Sequence, residues 1–425
     1  MKRNLLIITL ILLSTIGITV AQSDNGELTT TAIHPVTTFV PEDVAPLVRM
    51  SSDGTYFIMA NNGKLCVYTD ASELCSEATE SRLRVANDAL HISPDGQYAV
   101  WSEDVMHLAL ESDLWLFDVR TATNTKLTDD GVEGPIFRVR NGLLDYAPMW
   151  HPDGETIYFF RSESFQTDDG TRLSLQLMRM SITDDAPQML QDLTTSIGNT
   201  LPITYMSSPY FEGPAAVSPD GTTIAVIVYD GSNPESGQSG IWLLDLVDNG
   251  SPRQLMPYEQ FAGLPDFAAT GEKGSGLWPL GLAWSGDSSG LVVGAIHREI
   301  VGLSNLYYYD IASAASWPLA DFSNVSGRDQ FYEPDSTGIA PTFYSSQNAA
   351  VTPDGQWLLS AHRSQPNNMI GVSMLRLPPE PGQQLTLVYQ ANDLDTSLQQ
   401  FRSTAAVVDG GYAFVALGYV FYFEE

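Results

Sequence analysis

Ser218-Pro219-Asp220-Gly221, followed by the apolar run Ile224-Ala225-Val226-Ile227-Val228, is the stretch that decides the fold of this 425-residue chain. Ser, Pro and Gly favour the first, second and fourth positions of a type I turn. An apolar, β-branched run bounded by such a turn is typical of a strand. The stretch therefore predicts a tight turn leading into a β-strand.

The same turn phrase recurs along the chain. Its aspartates in four successive copies, Asp153, Asp220, Asp287 and Asp354, lie 67 residues apart. A fixed period of this length indicates stacked supersecondary units. With the less regular copies included, the phrase occurs at 51–54, 93–96, 151–154, 218–221, 285–288, 352–355 and 407–410.

A second signature follows several of these turns. It reads Leu114-Trp115-Leu116-Phe117-Asp118 in the second unit and Ile241-Trp242-Leu243-Leu244-Asp245 in the fourth, and a polar turn and a short strand signal come after it. Each unit thus carries signals for four short strands. Four antiparallel strands repeated radially predict an all-β fold, a β-propeller of four-stranded antiparallel blades.

This combination of motifs resembles the TolB-like, WD40-like (PD40) β-propeller repeat over residues 46–425. The resemblance implies the propeller fold. It does not imply a particular activity, because the same repeat serves many unrelated proteins.

The last unit is one strand short. After Asp409-Gly410 the sequence supports two further strands, at 412–417 and 419–423. An extended segment upstream of the first turn, 29–40, is predicted to supply the missing outer strand and to close the ring, which removes an exposed strand edge. We therefore predict seven blades, with six or eight as the alternatives.

The first 21 residues have the pattern of a signal peptide. Lys2 and Arg3 precede an apolar run over 5–20, and small residues at 19–21 suit cleavage. The run is shorter than the ~20 residues of a spanning helix. We predict a signal peptide at 1–21, a polar leader at 22–28 and one propeller domain at 29–425. The mature chain would be secreted or periplasmic with no membrane span, or membrane-anchored if the signal stays uncleaved.

Charge limits the partners of this chain. It carries 51 acidic and 20 basic residues, for a formal net charge of −31. Such a protein repels phosphate backbones, which argues against nucleic acid as a partner. A protein, peptide or glycan of the cell envelope is the predicted partner, and the charge also suits cations.

The two cysteines, Cys66 and Cys75, flank a predicted two-residue turn at Asp70-Ala71. The turn would place them opposite each other on adjacent strands. In an exported chain this predicts a disulfide within the first blade.

The lengths of the loops predict which face of the ring binds a partner. The turn phrases lie on one face, whereas most insertions fall on the other, at 102–112, 131–145, 162–172, 194–213, 230–239, 258–277 and 323–348. Long insertions on one side of a repeat protein mark its binding side. Aromatic residues in these insertions, among them Tyr210, Phe211, Phe331 and Tyr332, are predicted binding residues.

Basic side chains near strand ends suggest an enzymatic alternative. His297, Arg298, His362 and Arg363 fall at the ends of the second strands of units five and six, and Arg161 has the similar place in unit three. If they converge near the central channel, they could bind an acidic sugar or a metal. The propeller lyases that resemble this repeat use histidine-rich channel sites on acidic oligosaccharides.

Motifs for other chemistry are not found in the sequence. It contains no serine-hydrolase elbow, zinc-protease motif or nucleotide-binding loop, and no acidic run has the spacing of a calcium loop. No motif demands a cofactor, and the one candidate is a divalent metal, calcium or manganese. The sequence favours an exported binding propeller that does no chemistry. The alternatives are a lyase or hydrolase acting on an acidic oligosaccharide, and a structural envelope component.

Overall fold

The computed structural model shows a ring of seven antiparallel β-sheets among the residues it describes. The predicted all-β, seven-bladed propeller is therefore confirmed, and so is its closure by an N-terminal strand. The predicted signal peptide and the leader up to residue 27 lie outside the described residues. The described residues are 28–39, 48–61, 64–69, 72–77, 90–102, 112–129, 143–167, 170–184, 186–197, 201–202, 211–229, 237–247, 250–257, 260, 277–297, 304–319, 342–364, 369–391, 394 and 403–425.

Each blade is numbered in chain order, and its strands run from the central channel outward. Blade 1 contains β2 (Val48–Met50), β3 (Phe57–Asn61), β4 (Lys64–Thr69) and β5 (Ser72–Cys75), and blade 2 contains β6 (His91–Ile92), β7 (Tyr98–Ser102), β8 (Leu114–Asp118) and β9 (Thr123–Lys126). Blade 3 contains β10 (Leu143–Trp150), β11 (Thr156–Thr167), β13 (Gln176–Ser181) and β14 (Gln188–Asp192), with β12 (Gly170–Leu173) paired to β11. Blade 4 contains β15 (Leu201–Pro202) and β16 (Ala215–Val217), both paired to β17 (Thr223–Tyr229), then β18 (Gly240–Asp245) and β19 (Arg253–Pro257).

The remaining blades complete the ring. Blade 5 contains β20 (Leu277–Trp284), β21 (Gly290–His297), β22 (Ser304–Asp310) and β23 (Ala315–Pro318), and blade 6 contains β24 (Thr342–Val351), β25 (Trp357–Ser364), β26 (Met369–Arg376) and β27 (Thr386–Ala391). Blade 7 contains β28 (Thr404–Val408), β29 (Gly411–Ala416), β30 (Tyr419–Glu424) and, as its outermost strand, β1 (Thr29–Pro35). A short 3-10 helix, Val36–Thr38, follows β1. None of the helices in the described ranges has the length and apolar composition that crossing a membrane requires.

The turn phrase folds through a repeated set of hydrogen bonds. In blade 4 the Ser218 hydroxyl donates to Asp220 Oδ1 at 2.6 Å and accepts from the backbone N–H of Thr223 at 3.0 Å. Asp220 Oδ1 also accepts from the backbone N–H of Thr222 at 3.0 Å. The first and third residues of the phrase make the same contact in blades 1, 2, 5 and 6. The motif thus stabilises its own turn, independently of the rest of the blade.

The hydrophobic core lies between adjacent blades. Between blades 3 and 4, Phe160 and Leu177 pack with Val226 and Leu244, and all four are fully buried. Similar clusters join blade 1 to blade 2, blade 5 to blade 6 and blade 6 to blade 7. Because each sheet buries its faces against its neighbours, the blades depend on one another for stability.

The pairing of β1 with β30 and the disulfide of blade 1 were both predicted from the sequence, and the structure confirms both. Ile33 of β1 pairs with Phe421 of β30, and the backbone N–H of Val36 donates to Gly418 O at 2.9 Å. Cys66 of β4 lies opposite Cys75 of β5, and the two form a disulfide. The first blade is therefore covalently stapled, as predicted.

Candidate functional site

The two faces of the ring carry connections of different length. On the face that holds the turn phrases, here called the turn face, β20 and β21 are joined by 285–289 and β22 and β23 by 311–314. On the opposite face, here called the loop face, β19 and β20 are separated by 258–276 and β23 and β24 by 319–341. This asymmetry agrees with the loop lengths read from the sequence.

The predicted binding residues fall into two groups. The structure places His297 at the end of β21, opposite Leu277, and places His362 and Arg363 on β25, opposite Gly371 and Ile370. Both strands are the second of their blade. Convergence of these side chains at the channel stays a prediction. Arg161 and Phe211 are also described and are taken up below, whereas Tyr210, Arg298, Phe331 and Tyr332 lie outside the described residues.

Arg161 belongs to a buried ion pair at the loop-face end of blade 3. Its Nε and one terminal nitrogen donate to the two carboxylate oxygens of Asp145, each at 2.7 Å. The Asp145 side chain is 1% exposed and that of Arg161 15%. Burial raises the pKa of the Asp145 carboxyl, and the hydrogen bonds and charge of Arg161 oppose that rise. Arg161 thus holds a buried carboxylate in place.

A second ion pair on blade 2 faces the first across the blade interface. Lys126 Nζ lies 2.6 Å from Asp113 Oδ2 and 3.1 Å from Asp129 Oδ1. Burial lowers the pKa of Lys126, but these two carboxylates outweigh burial and raise it. The backbone N–H of Asp145 donates to Ser112 O at 2.8 Å, which ties blade 3 to the start of β8. Paired charges therefore anchor the base of the loop face between blades 2 and 3.

Phe211, predicted as a loop aromatic, lies in the core between blades 5 and 6 and is 1% exposed. Ahead of β16, the described residues 211–213 lie beside β20 of blade 5. Gly213 bridges to Leu282, whose backbone N–H donates to Gly213 O at 2.9 Å. A β-carbon at Gly281 would lie 1.6 Å from Phe211 O, so the two backbones are in direct contact. We call Phe211, Glu212 and Gly213 the channel segment.

The channel segment borders a central cavity of about 340 Å³. The inner strands of blades 2 to 6 line it, and it extends to turn-phrase residues of blades 4 and 6. Its ionisable side chains among the described lining residues are His91 and Glu212. Both are half-buried. The cavity thus brings two titratable side chains to the channel.

Sequence reasoning missed His91 and Glu212 as site residues. His91 lies four residues before Asp95, and the equivalent position in blades 4 to 6 is alanine, at Ala216, Ala283 and Ala350. Blades 1 and 3 have Arg49 and Met149 there, so a polar residue at this position is a signal that could have identified His91. Glu212 had no comparable signal, because its place in the channel depends on a long crossover.

The predicted divalent metal, calcium or manganese, has no convincing set of ligand side chains among the described residues. Within them, one group of His, Cys, Asp or Glu side chains is close enough to share an ion: Cys66, Glu73 and Cys75. Its two sulfur atoms are bonded to each other. A calcium or manganese site therefore stays a prediction.

The repeated turn phrase and the seven four-stranded sheets make the chain a seven-bladed β-propeller, and its repeat resembles the TolB-like, PD40-type repeat. Neither a protein-family model nor a curated protein sequence matches it. Among solved structures, it is similar to TolB from Agrobacterium tumefaciens, with 17% identity, 70% of this chain and 90% of that one covered, and a TM-score of 0.40. It is also similar to oligogalacturonate lyase from Vibrio parahaemolyticus, with 10% identity, coverage of 93% and 98%, and a TM-score of 0.49. Prolyl oligopeptidase B from Galerina marginata has 12% identity, coverage of 87% and 45%, and a TM-score of 0.46. Similarity at these identities and TM-scores assigns no function to this chain.

Proposed function

We propose that this protein is an exported β-propeller that binds a protein, peptide or glycan of the cell envelope through its loop face. The observation that carries the proposal is the unequal length of the connections on the two faces. Binding residues are disproportionately found on loops that a rigid scaffold positions. Here the scaffold is a closed ring, and the loops are concentrated at one end of it.

The described part of the loop face supports this role. β11 pairs with β13 through Arg161 and then continues, pairing with β12 from Ser164 to Thr167. The resulting hairpin extends blade 3 past its neighbouring strands. The ion pair of Arg161 with Asp145 fixes the backbone at the point where this hairpin begins. A rigid base lowers the entropy that a loop loses when it binds.

Export is the second part of the proposal. The Cys66–Cys75 disulfide supports it, because disulfides persist in oxidising compartments. The N-terminal pattern of charged, apolar and small residues points the same way. Expression with and without residues 1–21 in a Gram-negative host, followed by periplasmic extraction, tests export. Equal periplasmic recovery of both chains would contradict it.

The binding surface can be tested without knowing the natural partner. A displayed peptide library and an array of neutral and acidic oligosaccharides would be selected on the mature protein. We expect the selected ligands to lose at least about tenfold in affinity in F331A/Y332A, since buried aromatic anchors contribute more than 1–2 kcal/mol each. The control is V247A on the turn face, where Val247 is 69% exposed. Ligands that depend on Val247 and ignore Phe331 and Tyr332 would contradict the proposal.

A further inference from the structure

We propose that the outer edge of blade 6 is a contact between two copies of this chain, in which β27 of one copy pairs antiparallel with β27 of the other. A two-fold axis relates the two copies, as in the commonest class of homo-oligomer. The contact lies on the rim of the ring, at the outermost strand of the blade. It does not rest on the function proposed above, because it uses no residue of the loop face.

The backbone of β27 has a free edge. On one side β27 pairs with β26, from Met374 opposite Thr386 to Ile370 opposite Ala391, and no other described strand pairs with it. Among the described residues, 386–391 make no backbone-to-backbone hydrogen bond outside this sheet. Such an edge is a template for a further strand.

The other six blades protect their outermost strands with a charged side chain or a proline, which are common devices against edge-to-edge pairing. The charged residues are Glu73, Lys126, Asp192 and Arg253, in blades 1 to 4, and the prolines are Pro318 and Pro35, in blades 5 and 7. The sequence of β27, Thr-Leu-Val-Tyr-Gln-Ala, has neither. Threonine, valine and tyrosine also favour the strand conformation. Of the seven outer strands, β27 is therefore the best suited to accept another strand.

A β-bulge does not explain this exception. Val388 is the extra residue between the pairs Tyr389–Val372 and Leu387–Ser373, and a bulge bends an edge strand. The outer strands β1, β14 and β19 are bulged as well, and each of them also has a charge or a proline. The lack of both devices therefore distinguishes β27 even among the bulged edges.

The charge distribution favours a second copy at this edge. The four strands of blade 6 contain no acidic residue and carry the basic residues Arg363 and Arg376. Every other blade has at least one acidic residue in its strands, for example Glu73, Asp118, Asp145, Asp245, Asp310 and Glu424. Two chains with a formal net charge of −31 repel each other over most of their surface. Blade 6 is the blade at which the strands add nothing to that repulsion.

The side chains of β27 suit pairing with their own copy. Leu387 is 43% exposed, and Val388 and Tyr389 are half-buried. Antiparallel pairing about a two-fold axis places uncharged side chains opposite uncharged side chains, so no like charges are opposed. A contact of one six-residue strand per copy is small beside the ~800 Å² per partner of a standard interface. We therefore expect a weak dimer that depends on protein concentration.

The first test is sedimentation equilibrium of the wild-type protein at increasing concentration and at two salt concentrations. Between about 0.1 M and about 1 M sodium chloride the Debye length falls from about 10 Å to about 3 Å. We expect a monomer–dimer equilibrium whose dissociation constant falls at least about fivefold at the higher salt, because salt screens the repulsion between like-charged copies. A monomer under all conditions, or a dimer that dissociates at high salt as an ion-paired contact would, overturns the proposal.

The second test assigns the contact to β27. L387K gives β27 the kind of charge that other outer strands carry, and M189K makes the same change in net charge on β14, where Met189 is 57% exposed. We expect L387K to weaken dimerisation at least about tenfold, since the substitution brings two lysines together at the axis, and M189K to leave it unchanged. An unchanged dimer in a folded L387K, or an equal loss in M189K, would contradict the assignment.

Hydrogen exchange of the wild-type protein gives the same answer without a variant. We expect the amides of 386–391 to exchange more slowly at high protein concentration, and those of β14 to be unaffected. Exchange in β27 that does not respond to concentration, in a sample that sedimentation shows to be dimeric, would place the contact elsewhere and overturn the proposal. F331A/Y332A should dimerise as the wild-type protein does, which keeps this contact distinct from the loop face.

Discussion

Arg161 and Asp145 lie opposite each other on neighbouring strands of blade 3, and two parallel hydrogen bonds of 2.7 Å join their side chains. Removing only the cation would leave a carboxylate that is 1% exposed without its charge partner. Such a loss typically costs about 3–5 kcal/mol. We expect R161M to lower the free energy of unfolding by that amount in urea at pH 7.

The matched control for that prediction is an exposed ion pair on blade 2. Arg120 is 84% exposed and lies 3.8 Å from Asp118, so R120M should change stability by no more than about 0.5 kcal/mol. The double variant R161M/D145L should recover most of the loss, because it removes both buried charges. A loss in R161M no larger than in R120M would show that the buried pair is not needed for folding.

The turn-phrase aspartates make the fold acid-sensitive. Burial raises the pKa of Asp220, but hydrogen bonds from Ser218 and Thr222 outweigh it and lower the pKa overall. The same balance holds for Asp53 and Asp287. A group whose folded pKa is lowered contributes stability above its unfolded pKa of about 3.9, and that stability is lost as pH falls through the folded pKa. We expect the urea midpoint to be steady near neutrality and to fall steeply below about pH 4.

Asparagine variants test the origin of that acid sensitivity. D220N/D287N should be less stable at neutral pH and should lose less on acidification, because two of the contributing groups no longer titrate. D409N is the control, since Val407 replaces the serine in that turn and supplies no hydroxyl. If D409N flattens the acid profile as much as D220N/D287N, the serine–aspartate hydrogen bonds are not its source.

His151 replaces the serine in the turn of blade 3 and packs on the next turn. A β-carbon at Gly221 would lie 2.3 Å from His151 Nε2, and Gly221 has a φ of +73°. G221A should therefore cost more than the ~1–2 kcal/mol of a left-handed alanine. In G382A, at a φ of +79° with open space around it, the cost should be that backbone penalty alone. H151S should relieve part of the G221A loss in a double-mutant cycle, and additive effects would contradict the contact.

The Cys66–Cys75 disulfide closes a short loop with a sequence separation of 9. A chain-entropy estimate for a loop of this length is about 2–3 kcal/mol. We expect C66A/C75A to lose that much stability in urea and to be insensitive to dithiothreitol, whereas the wild-type protein should lose it only under reduction. Equal midpoints for the wild-type protein with and without reductant would contradict this prediction.

Deletion of β1 tests the ring closure. A chain that starts at residue 36 leaves the outer edge of β30 unpaired, and exposed strand edges promote association. We expect it to melt earlier and to elute as larger species in size-exclusion chromatography with light scattering. A chain that starts at residue 28 keeps β1 and is the control. Identical melting and elution of the two chains would show that β1 is dispensable.

The parts of the fold that could be predicted are those that short stretches of sequence encode. The turn phrase closes through hydrogen bonds between residues two to five apart, as Ser218 shows with Asp220 and Thr223. The disulfide likewise depends on one tight turn between Cys66 and Cys75. The turn phrase recurs along the chain, and the two cysteines have the spacing of a tight hairpin. Both features can therefore be recognised in a single sequence.

The channel could not be predicted in the same way. The sequence places Phe211 among the loop aromatics, but the structure buries it between blades 5 and 6, whereas the next strand along the chain, β16, belongs to blade 4. Glu212 meets Val351, 139 residues further along the chain. No period or motif reports such a contact, because it depends on how a long crossover folds back over the completed ring.

The pairing of β1 with β30 also sets how the ring responds to mechanical force. Thr29 lies opposite Glu424, so the chain enters and leaves the closing pair of strands at the same end. A pull applied between these two residues would load the hydrogen bonds one after another, as in a zipper, and not all together in shear. Blade 7 is therefore expected to be the point at which the ring opens, at low force, in a single-molecule stretching experiment.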